Sequence, residues 1–207
     1  LPSLRHQPVE VSPTASAWWH GTQRTTEGPV RVAAFAGPGL VGSGREVLEV
    51  RSIWPDTQTF VGADATGQAF AQTAGSVTIA HVAAHGTHIS QNPLFSSVQL
   101  SDGPLFAYEL QPGNVPPHVV LSACELGEVT VRPGEEALGL TSVLLQHGAR
   151  CVVAGVADVN DDLAAEVMVG YHRRLAAGSD AAAALADAVA ASRTVVPFTC
   201  FGAAWSA

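Results

Sequence analysis

The sequence predicts an α/β sandwich built on a mostly parallel sheet, and three observations carry that expectation. Runs of aliphatic and β-branched residues recur at 30–36, 76–83, 119–123 and 149–156, without the regular polar alternation of a half-exposed strand; this is the pattern of strands buried on both faces. The stretches between them are long enough for the crossovers that parallel strands require, and several carry helical periodicity. Hydrophobic residues make up 47% of the 207 and charged residues only 14%, so one domain with a sizeable core is expected.

The elements follow in order. Residues 1–28 hold Pro2, Pro8 and Pro13 and show no sustained period, which suggests an N-terminal linker or edge segment before a main domain over 29–207. Trp18-Trp19-His20 interrupts it, either packing on the flank of the domain or anchoring to another surface. The first strand, 30–36, ends in Gly37-Pro38-Gly39. A helix follows with Ser43 as N-cap and Glu46 completing a capping box, stopped by Trp54-Pro55. A short strand at 57–61 and a weak helix from Asp64 to Ala74 lead to the strand 76–83, which ends in Ala84-His85-Gly86.

Residues 95–100 and 104–107 form a hairpin turning at Ser101-Asp102-Gly103. A proline-rich approach, 112–117, leads to the run Val119-Val120-Leu121-Ser122-Ala123-Cys124, which stops at a thiol. A helix over 135–146 closed by Gly148, a strand at 149–156, helices at 163–177 and 180–192 separated by Gly178, and a last extended segment at 198–205 complete the chain.

Composition excludes several classes. Ten Arg and no Lys face eighteen Asp and Glu, for a formal charge of −8, which argues against a nucleic-acid footprint. No apolar run approaches the roughly 20 residues of a membrane span, and the polar, proline-containing start is unlike a secretory signal. Three widely spaced cysteines do not make a disulfide framework, so a cytoplasmic protein is expected. The chain begins with Leu1, which suggests a fragment of a longer polypeptide with modules on its N-terminal side.

Two reactive groups stand at two strand ends, His85 and Cys124. A thiolate is a nucleophile and a neighbouring imidazole can carry protons for it, so the two can form a dyad. Gly86 lets the backbone turn tightly, and its N–H together with that of Cys124 can provide an oxyanion hole. Small residues Ser122 and Ala123 before the thiol leave room for a second chain.

The runs His81-Val82-Ala83-Ala84-His85-Gly86 and Val120-Leu121-Ser122-Ala123-Cys124-Glu125-Leu126-Gly127, followed by 139–153 with its Gly-Ala-Arg-Cys-Val-Val exit, resemble the CHAT family of caspase-like cysteine peptidases. The resemblance covers about residues 29–205. It implies a caspase-like three-layer sandwich, His85 as catalytic histidine, Cys124 as nucleophile, and Gly86 and Cys124 as oxyanion donors. It also implies a protein or peptide substrate, no cofactor or metal, and control by a helical-repeat module or partner in bacterial defence or cell-death signalling.

The segment Ala157-Asp158-Val159-Asn160-Asp161 falls where the family usually shows Trp-x-Val-x-Asp. Asp158 or Asp161 would there read a substrate Arg before the cut, beside Ala123. The same acidic cluster equally reads as the N-cap of the next helix, and Ala157 in place of tryptophan leaves specificity open. A domain of the same fold that holds a peptide without cutting it is the alternative function.

His81, His85 and His88 are spaced as three metal ligands would be on a helix, but the surrounding residues favour a strand, which separates them. His81 is expected to pack or hydrogen-bond within the sheet and His88 to lie on the loop beyond. Cys151 and Cys200 read as core thiols. The glycine-rich run 37–44 lacks the Gly-Lys-Ser/Thr ending of a phosphate loop and reads as a flexible turn.

Overall fold

The computed structural model describes residues 7–23, 28–89, 92–122, 138–192, 194 and 196–207. Ten strands and six α-helices are described: β1 (Glu10–Val11), α1 (Ala15–Thr22), β2 (Val32–Ala36), α2 (Ser43–Ile53), β3 (Gln58–Val61), α3 (Gly67–Ala74), β4 (Ile79–Ala83), β5 (Gly86–Thr87), β6 (Ser97–Leu100), β7 (Gly103–Phe106), β8 (His118–Ser122), α4 (Leu138–His147), β9 (Cys151–Gly155), α5 (Asp161–Ala176), α6 (Ala181–Ala191) and β10 (Phe198–Gly202).

Seven strands form one sheet in the order β1-β10-β9-β8-β4-β2-β3. From β3 to β9 every pairing is parallel, β10 runs antiparallel to β9, and β1 lies parallel to β10. β5, β6 and β7 form a separate antiparallel sheet. The expected mostly parallel α/β sandwich is the observed fold.

Strand alternation divides the core in two. Val32, Ala34, Ile79, Val120 and Val153 face α2, α5 and α6. Ala33, Phe35, Val82, Val119 and Leu121 face α3, α4 and the small sheet. On that second face Phe35 stacks on Phe60 with ring centroids 4.6 Å apart, a contact that adds about 0.5–1.5 kcal/mol to simple area burial.

The boundaries differ from expectation where side chains redirect the backbone. The first strand begins at Val32: the Arg31 N–H donates to Thr78 Oγ1 (2.8 Å), while its carbonyl accepts from that hydroxyl (2.9 Å) and from the backbone of Thr78 (2.8 Å) and Ile79 (3.1 Å). Ser43 is not the N-cap of α2. Gly42, at φ 101°, takes that position, and the Ser43 hydroxyl turns back to the carbonyls of Gly37 (3.3 Å) and Leu40 (3.1 Å). Glu46 closes no capping box and is buried. Thr66, not Asp64, caps α3, its hydroxyl accepting from Ala69 N at 3.0 Å. At the N-terminus β1 joins the sheet, and α1 exposes Trp18 and Trp19, the former donating to Glu10 at 3.4 Å.

The face toward α5 buries imidazoles. His118 sits beneath Tyr171 and stacks on Trp205 at 4.7 Å. Cys151 offers only a carbonyl, 3.0 Å from Nδ1, so Nδ1 carries the proton and Nε2 accepts from the Tyr171 hydroxyl at 2.8 Å. Burial pushes His118 down from 6.5 to about 4, the bond to Cys151 opposing the shift and His81, when charged, adding to it. Burial likewise holds His172 well below its ordinary value. Cys151 and Cys200 are buried free thiols, as expected; contact with Cys200 and burial raise the Cys151 thiol well above its usual range.

A histidine whose folded pKa lies below its unfolded one stabilises the fold when neutral. That stability is complete above pH about 6.5 and is lost as pH falls toward 4. His118 alone should cost about 3 kcal/mol across this window, with His172 acting in the same direction. Urea unfolding from pH 7.5 to 4 should show the decline, and His118→Gln should flatten part of it; a variant with an unchanged slope would contradict the assignment.

Candidate active site

Strand order reverses beside β2. The chain steps outward from β2 to β3, then returns to the other flank as β4, so the loops after β2 and β4 part at the carboxyl edge of the sheet. Open α/β sheets bind ligands at such a point, and His85 stands there, two residues beyond β4.

The glycine run after β2 is built into this edge. Gly37 N donates to the Ala83 carbonyl at 2.8 Å. A Cβ at position 37 would lie 2.5 Å from Ala84 Cβ and 2.6 Å from the Gln99 carbonyl, so only glycine lets the two loops close. Gly39, at φ 78°, lies against the His85 ring: a Cβ there would stand 3.6 Å from Nε2. The flexible turn expected at 37–44 is therefore a wall of the site. Its closeness to His85 is a long-range contact with no local signature.

The backbone of His85 is held on two sides. Ala84 N donates to the Ser122 carbonyl (3.3 Å), and Gln99 N donates to the His85 carbonyl (2.8 Å). In an antiparallel ladder bonded and non-bonded pairs alternate. The 85–99 pair is bonded, so the next pair, Gly86–Val98, is of the non-bonded kind and the Gly86 N–H is directed away from β6. The imidazole itself is half-buried.

β8 lies beside β4 in parallel register, with Ala83 opposite Ser122. Ser122 is fully buried, which corrects the expectation that it leaves room for a second chain; its hydroxyl meets no hydrogen-bond partner among the described residues. Ala123 and Cys124, the expected pocket residue and nucleophile, lie outside the described residues, as does Glu125.

The loop after β9 leaves the same carboxyl edge. Val159 packs on the core and turns Asp158 outward to solvent. Asn160 caps α5, its Oδ1 accepting from Asp162 N (3.1 Å) and Leu163 N (3.3 Å). Asp161 lies in the first turn of α5, where the helix dipole favours an anion. The helix-capping reading thus accounts for Asn160 to Asp162, while Asp158 belongs to the loop ahead of the cap. His88 is half-buried beyond β5, and no cluster of metal-ligating side chains occurs among the described residues. No described helix is long and apolar enough to cross a membrane.

A mostly parallel sheet presenting a histidine strand end at its reversal of strand order is the plan of a caspase-like α/β domain. Residues 11–195 match the CHAT domain family, and the chain belongs to that family. Two crystal structures of the Saccharomyces cerevisiae separase–securin complex resemble it. One has a TM-score of 0.65 at 10% identity, covering 99% of this chain and 14% of the other. The second has a TM-score of 0.54 at 9% identity, covering 97% and 13%. The likeness is one of fold, and the chain spans about one-seventh of the length of those chains. No curated protein matches the sequence.

Gly37→Ala should force the loops after β2 and β4 apart and destabilise the domain by about 1–3 kcal/mol, the usual cost of overpacking. Urea unfolding measures this; wild-type stability would show that Gly37 is not a tight contact.

Proposed function

We propose that the domain is a cysteine endopeptidase in which His85 and Cys124 act as a dyad on a protein partner. One observation carries the reading. β4 and β8 pair in parallel with Ala83 opposite Ser122, and His85 and Cys124 each follow those residues by two positions in sequence (85 − 83 = 2; 124 − 122 = 2). Adjacent parallel strands that end level support a reading in which the residues just beyond them meet at one place on the sheet edge.

In this reading the Cys124 thiolate attacks the scissile carbonyl carbon, forming a C–S bond, and the carbonyl oxygen takes up the negative charge. The outward Gly86 N–H, with that of Cys124, receives this oxyanion. The C–N bond then breaks as His85 supplies a proton to the leaving amine, and water hydrolyses the thioester to release the acid and restore the thiol. Asp158, exposed at the same edge, reads an Arg before the cut; Asp161 is the weaker choice because it sits in the first turn of α5. The separase neighbours were crystallised with securin, and control of this domain by a partner protein or helical-repeat module in the bacterial cytoplasm is the corresponding proposal.

A thiol-directed peptidyl probe with Arg before its warhead should label the wild-type protein and not Cys124→Ala; labelling that survives in that variant would sink the nucleophile. His85→Ala should slow turnover of a peptidyl-arginine amide by about 10²–10⁴-fold. Asp158→Asn should lower the preference for arginyl over leucyl probes by about tenfold. Binding without cleavage by the full-length protein would instead make this an idle peptide-holding domain.

A further inference from the structure

Four residues between α2, β4 and α5 form a buried polar chain that the proposed chemistry does not use. Trp54, just past the end of α2, donates from Nε1 to His172 Nδ1 at 3.2 Å. His172 Nε2 lies 3.1 Å from His81 Nδ1. His81 Nε2 in turn lies 3.1 Å from Glu46 Oε1, on the first turn of α2, a close polar contact that is not aligned as a hydrogen bond. His81 and His172 are 0% exposed and Glu46 is 2% exposed.

The chain has one polarity. An indole nitrogen can only donate, so His172 Nδ1 accepts and its proton sits on Nε2. That proton points to His81 Nδ1, which places the proton of His81 on Nε2, toward Glu46.

We propose that Glu46, His81, His172 and Trp54 are a positioning relay for His85, an inference that rests on the peptidase reading above. The relay grips α2 at its first turn and just beyond its last, and fastens both to the strand that leads to His85. From that first turn contacts continue to the site: Ser43 bonds to the Gly37 and Leu40 carbonyls, Leu40 clusters with Ala83, and Gly39 lies against the His85 ring. Moving the first turn of α2 therefore moves the wall on which the His85 imidazole rests.

Nitrogen-15 correlation spectra of the full chain, at neutral pH, should show His81 and His172 as Nε2–H tautomers; an Nδ1–H tautomer on either would overturn the relay. Glu46→Leu should shift the ring resonances of His85 and lower kcat on a peptidyl-arginine amide about tenfold with KM within about twofold. Glu46→Gln, which keeps an acceptor for His81, should restore both. Leu110→Ala, in the opposite layer of the core, serves as a control for lost stability and should leave the His85 resonances in place. Equal shifts in Glu46→Leu and Leu110→Ala would reduce the relay to ordinary packing. If the wild type does not turn over the amide, the peptidase reading fails while the tautomers and ring resonances still decide the relay.

Discussion

The whole arrangement depends on β4 being buried on every side. All five of its residues are buried, and it pairs in parallel with β2 on one edge and β8 on the other. A strand in that position has no water for its peptide groups, so both neighbours must lie in exact hydrogen-bonding register. Register on one side places the end of β2, and hence Gly37, against Ala83. Register on the other places Ser122 level with Ala83. His85 is then carried to the sheet edge by the shortest extension of the most constrained strand, and the small sheet holds it from outside through Gln99.

Alternation along the same strand generates a second consequence. Ile79, His81 and Ala83 face α2 and α5, so a polar residue at 81 must find its partners in that layer. An unpaired buried polar group costs about 1–3 kcal/mol, and no rearrangement within the sheet supplies a partner. Helix α5 supplies one, His172 at Nδ1, with Trp54 closing the far end, and Glu46 on α2 lies 3.1 Å from Nε2 without the alignment of a hydrogen bond. An aliphatic residue at 81 would accept many placements of those helices. The imidazole meets His172 at Nδ1 in one.

Strands that are apolar throughout were readable because burial on both faces leaves its mark directly in composition: 76–83 and 149–156 contain β4 and β9 with excess only at the ends. At the start of β2 it is the Thr78 side chain, not a backbone carbonyl, that takes the Arg31 N–H. Ser43 and Glu46 match a capping box by spacing, but the pattern is local and the competing partners are not. Gly42 supplies the cap, and Glu46 is drawn inward by a histidine from another strand. His118 and His172 carried no signal at all. One opens a strand after prolines, the other lies in a helix beside two arginines, and only the folded core makes either a buried neutral base. Of the candidate site, His85 was readable because a histidine followed by glycine at the end of an apolar run is a local pattern. The Gly37 and Gly39 wall was not, since its meaning lies in contacts with residues 84, 85 and 99.

The likeness to separase at 10% identity is one of fold. Strand register sets where the described residues beyond β4 and β9 leave the sheet. The acidic loop after β9 is one such exit. Its expected tryptophan is absent, yet the loop keeps two independent anchors, Val159 in the core and Asn160 capping α5. Val159 is partly buried against the core, while Asp158 is exposed in the loop that leaves the carboxyl edge of the sheet. With Ala157 where tryptophan was expected, the loop is still tied at both anchors, so its place at the sheet edge follows from β9 and α5 rather than from an aromatic side chain.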